Sequence, residues 1–100
     1  MYILKLYITG ASPNSSRAIT NTKAFCERYL KDGYDLQVID VYQKPLLAQR
    51  EQIIALPLLI KEFPLPVKKL IGNMSDTSKV LRGLDVIENN QAPDDSNEII

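Results

Sequence analysis

Ser12 and Ser15 are the side chains of this 100-residue chain best placed for chemistry. They stand three apart in Ser12-Pro13-Asn14-Ser15, between an apolar run, Tyr2 to Thr9, and a helical pattern. A serine hydroxyl becomes a nucleophile only when a base takes its proton. The chain has no histidine, which removes the usual base near neutral pH and every histidine-dependent triad. Asp40 has no second acid at a fixed spacing and reads as a capped or solvated carboxylate at a strand end. Serine is a favoured helix N-cap and proline a favoured first helical residue, so the two serines read as a cap and a turn. The single cysteine, Cys26, falls on an apolar helical stripe and reads as a small buried hydrophobe. One cysteine permits neither an intrachain disulfide nor a Cys-rich metal site. No catalytic residue, metal or cofactor is expected.

The surrounding elements must position those residues. Tyr2, Leu4, Leu6 and Ile8 alternate with Ile3, Lys5, Tyr7 and Thr9, and both sets are largely apolar. That pattern fits a central strand covered on both faces. Ala18, Ile19, Thr22, Phe25, Cys26, Tyr29 and Leu30 recur at spacings of three and four, the buried stripe of one helix. Asp32 and Gly33 stop it. A second strand is expected over 36–42, a short helix over 46–54 behind Pro45, and strands over 58–63 and 67–72. A last helix, capped by Ser75 or Asp76, carries Val80, Leu81, Leu84 and Ile87 as its stripe. Residues 1–90 make one domain, and 91–100 read as an acidic, frayed tail.

Lys plus Arg and Asp plus Glu number 12 each, so net charge is zero. No strong field invites nucleic acid or an anionic membrane, and neither is expected as a partner. Lys68 and Lys69 lack the aromatic platform of a nucleic-acid site. No secretory leader or membrane span is visible, and a cytoplasmic protein is expected.

The predicted order is strand, helix, strand, helix, strand, strand, helix. That is the thioredoxin order, with Pro57 as a candidate cis proline ahead of the third strand and serines where that fold keeps its redox cysteines. The second half is locally inconsistent. Pro57, Pro64 and Pro66 crowd its strands, and Gly83 sits within the last helix at about 1 kcal/mol relative to alanine. Residues 53–60 are too uniformly apolar for periodicity to separate strand from helix. Ordinary strain is one account of this, and two structures of similar free energy is another.

The assembled residues resemble the KaiB family. The resemblance runs from Tyr2 to about Ile87. It includes Leu4, Lys5, Leu6 and Tyr7; Gly10 with Pro13, Asn14, Ser15, Arg17 and Ala18; and Val38, Ile39, Asp40 and Val41 before Pro45. It continues through Pro57, Pro66, Gly72, Lys79, Val80, Leu81, Gly83, Leu84 and Asp85. The resemblance implies an α/β protein of the thioredoxin-like superfamily with two folds. The resting βαββααβ form is the one expected, and it self-associates. The alternative βαβαββα form is monomeric, thioredoxin-like, and binds a KaiC-like ATPase. The resemblance implies a non-enzymatic circadian clock regulator. It places Arg17, Lys61, Lys68 and Lys69 at the partner surface, and Gly83 and Asp85 at positions that set the fold balance. It places Tyr2, Arg82 and Glu88 at the self-association surface of a dimer or tetramer. Apolar or aromatic residues are common in the family where Arg82 and Glu88 stand, and lysines where Thr20 and Gln52 stand. Capture of KaiA stays open, as does a role in stress adaptation or signalling without KaiC.

Overall fold

The central strand forms where the double-faced apolar run lies. In the computed structural model, which describes residues 1–53 and 55–86, β1 spans Tyr2–Ile8. Helix α1 follows over Pro13–Tyr29, then β2 over Tyr34–Asp40 and α2 over Pro45–Arg50. Strands β3, Leu58–Phe63, and β4, Lys68–Ile71, lead to α3, Thr77–Gly83. The sheet order is β2-β1-β3-β4, with β1 parallel to β2 and antiparallel to β3, and β3 antiparallel to β4. The order βαβαββα is the thioredoxin-like one, not the expected resting βαββααβ. The physical reason begins at Pro45. It opens α2 at a position where a missing N–H costs nothing, and a ladder would need that donor. Residues 58–61 then bury themselves beside β1.

Register decides which side chains share a face. Leu4 opposes Lys61 and Leu6 opposes Leu59, so these lie together on the face covered by α1 and α3. Leu4, Leu6, Ile8, Ala18, Phe25, Cys26, Leu59, Val80 and Leu84 form that core. On the other face Tyr7, Leu58 and Ile60 pack with Ile39, Val41, Leu47, Ile53 and Leu56. Helix α2 is short and buries no residue fully. The second strand begins and ends two residues earlier than the sequence reading put it, and α2 ends four residues earlier. Asp76, not Ser75, caps α3 by accepting from the Lys79 N–H at 3.2 Å. The Leu56–Pro57 bond is cis, and so are Phe63–Pro64 and Leu65–Pro66. The expected tail, 91–100, and Glu88 lie outside the described residues.

Candidate functional site

The start of α1 is a brace, not a reactive centre. Ser12 Oγ accepts from the Ser15 N–H at 3.1 Å, and its hydroxyl donates to Ser15 Oγ at 2.9 Å. Ser15 Oγ donates to the Thr9 carbonyl at 3.3 Å and accepts from the Thr9 N–H at 3.1 Å. Ser15 is buried and both hydroxyl protons are engaged. Asp40 is likewise structural: its Oδ1 accepts from the Gly10 N–H at 3.1 Å and the Tyr42 N–H at 2.9 Å. It ties the end of β1 to the loop after β2. Cys26 is wholly buried, and burial pushes its thiol up to about 12, so no thiolate forms near neutral pH. Among the described residues no His, Cys, Asp or Glu group is arranged to hold a metal ion.

The four cations implied as a partner surface do not form one patch. Arg17 is exposed on α1. Lys68 is half-buried on β4 and shares the α1–α3 side of the sheet. Lys69 is exposed and opposes Ile60, on the α2 side. Lys61 is only 1% exposed, which corrects its reading as a surface cation. Its place in the ladder explains this: it sits opposite Leu4, two residues after Leu59, on the helix-covered face. It also sits directly opposite Lys68, a like-charge pairing that works against the hairpin.

Sequence reasoning missed two features, an ion pair on the α2 side and an exposed apolar set at the β3–β4 hairpin. Lys5 Nζ pairs with Glu62 at 3.1 Å, and the hydrogen bond to Glu62 is the main cause that raises the lysine's pKa. Phe63, Leu65, Val67 and Ile71 are exposed apolar residues around the β3–β4 hairpin. Alternation with Leu58 and Ile60 would have placed Glu62 on the face of Lys5. Nothing in the sequence marked the exposure, because an apolar strand residue is normally covered.

Of the implied switch and association residues, Arg82, Gly83 and Asp85 lie on or just past α3. A Cβ added at Gly83 would lie 3.1 Å from Leu70 Cδ1, so the glycine lets α3 approach β4 closely. Gly83 is the last helical residue, not an interior one. Asp85 lies two beyond it with φ +59°. Arg82 is exposed on α3, while Tyr2 packs partly buried at the edge of the α1–α3 core. Pro57 is buried, and its carbonyl accepts from the Gly72 N–H at 3.0 Å. Among the described residues no helix is long and apolar enough to cross a membrane.

The family profile of the KaiB domain matches residues 5–86. The circadian clock oscillator protein KaiB of Picosynechococcus sp. is 50% identical over 86 residues, covering 86% of this chain and 83% of that protein. Its counterpart in Synechococcus elongatus is 49% identical over 86 residues, covering 86% and 84%. Among solved structures, the N-terminal domain of Synechococcus elongatus SasA aligns with a TM-score of 0.64 at 20% identity, over 99% of this chain and 89% of that one. Chloroplastic thioredoxin z aligns with a TM-score of 0.69 at 12% identity, over 85% and 76%. At those identities the two structures speak for the thioredoxin-like fold alone.

Proposed function

This chain belongs to the KaiB family, and from that premise we propose that it is a non-enzymatic regulator that docks on a KaiC-type ATPase. The observation that carries the reading is half-identity to clock KaiB proteins over nearly the whole domain. The thioredoxin-like order of elements supports the same reading, since it is the arrangement the family resemblance pairs with ATPase binding. In the resting state the chain self-associates through the surface of Tyr2, Arg82 and Glu88. The ATPase selects the thioredoxin-like monomer and modulates its own cycle as a result. Arg17, Lys68 and Lys69 supply complementary charge, and Gly83 and Asp85 tune the balance of forms. If the competent form is a small fraction, apparent affinity falls by that fraction.

The test is size-exclusion chromatography with the KaiC-like ATPase of the same organism, sampled over a day with ATP. A complex that grows slowly, and weakens when Lys68 and Lys69 are changed to glutamate, is the expected result. No complex with an intact ATPase rejects docking.

One observation favours a second reading, an interaction module in stress adaptation or signalling that binds no KaiC. The implied cations are divided between two faces of the sheet, and one is buried.

A further inference from the structure

Lys61 and Lys68 oppose each other across the β3–β4 hairpin, on the face covered by α1 and α3. Lys61 is 1% exposed and Lys68 is half-buried. Among the described residues the ion pair is Lys5–Glu62, so neither Lys61 nor Lys68 has a described acid against it. A buried ammonium without a counter-charge is costly, and a second ammonium across the ladder adds repulsion. This end of the sheet therefore calls for an anion.

The chain itself leads one there. Strand β4 runs from Lys68 to Ile71, and α3 starts beyond Ile71. The last residue of α3, Gly83, stands against Leu70, so the helix runs back along the strand towards Lys68. Val86 then packs on the same core as Tyr2 and Leu70. From Leu70 to Lys68 is two residues of strand, about 7 Å. Residues 87–100 follow, with Glu88, Asp94, Asp95 and Glu98 and no lysine or arginine. Extended chain reaches about 7 Å from Val86 to Glu88 and about 28 Å to Asp94, enough to bring carboxylates to the lysine pair.

We propose that the acidic C-terminal segment of this chain docks on its own β3–β4 hairpin, its carboxylates supplying the counter-charge to Lys61 and Lys68. Lys68 also belongs to the ATPase-facing charge proposed above, so the segment competes there with an acidic partner. The docking itself does not rest on that reading.

The experiment uses the full chain with Ser96→Cys carrying a nitroxide spin label. Cys26 is wholly buried, so the label goes to position 96. In low salt, amide NMR is expected to show paramagnetic loss of signal at Lys61 and Lys68, and none at Gly10 or Ser12 past the other end of β1. In about 1 M salt, which screens charges beyond about 3 Å, the signals are expected to return. Glu88→Gln, Asp94→Asn, Asp95→Asn and Glu98→Gln together are expected to lower the docked fraction about two- to fivefold, and Lys68→Gln to lower it as well. No loss at the two lysines overturns the proposal, and so does a loss indifferent to salt and to the four acids. A loss that persists when the spin-labelled chain is mixed with isotope-enriched, unlabelled chain assigns the contact to a second copy and overturns docking within one chain. Absence of the cross-strand contact between Lys61 and Lys68 removes the site and overturns it too.

Discussion

Tyr7 shows how much a single atom can matter here. Its ring is fully buried in the α2-side core, yet its hydroxyl has no hydrogen-bond partner among the described residues. An unsatisfied buried hydroxyl costs about 1–3 kcal/mol. Tyr7→Phe should therefore raise stability by about 1 kcal/mol, read as a higher urea midpoint at constant slope. The acids with raised pKa values act in the opposite direction at high pH. Burial holds Cys26 up from 9.0 to about 12, and the hydrogen bond to Glu27 holds Tyr34 up from 10.0 to about 12. Each group is neutral in its protonated form and loses its proton more readily once unfolded. Their stabilising contribution is full below pH 9 and declines as pH rises toward 12. Unfolding followed across that interval should show a steady loss of stability, and Cys26→Ala should flatten part of it. At pH 8 the thiol should resist alkylation until urea opens the fold.

Helices and strands were legible in proportion to how local their signals are. Ser12, Pro13 and the stripe from Ala18 to Cys26 are short-range signals, and α1 begins at Pro13 and buries that stripe. The stretch 53–60 carried no period, so the end of α2 could not be read. The burial of Lys61 depends on register with β1, a long-range fact invisible before pairing is known. Gly83 looked like a flaw inside a helix, but the helix ends on it, and Asp85 takes the left-handed place a glycine would have announced. Gly83→Ala should gain about 1 kcal/mol of helix propensity, offset in part as Leu70 Cδ1 moves a few tenths of an ångström. Asp85→Arg removes an acid from the helix C-terminus and adds a cation, a change of about 0.3–1 kcal/mol in favour of α3. Together they should increase the thioredoxin-like population about tenfold by NMR. Lys68→Glu should strengthen the β3–β4 hairpin by about 0.2–1 kcal/mol, because it removes a like-charge pair opposite Lys61. It should weaken docking at the same time. A variant more stable yet poorer at binding would separate the surface role of Lys68 from its structural one.

At the scale of the molecule, the chain is a thioredoxin-like fold with a single cysteine. Serines brace the place of the thiols, and the lone cysteine is sealed in the core. The implied cations of the sheet are split between its two faces. The regulator proposed above acts through which form it occupies. The most direct measurement is the association rate of Gly83→Ala/Asp85→Arg with the KaiC-like ATPase in ATP, against the unaltered chain at equal concentration. The account predicts that the variant binds about tenfold faster and reaches a complex of the same size. Equal rates, with NMR showing the variant shifted to the thioredoxin-like form, would contradict it.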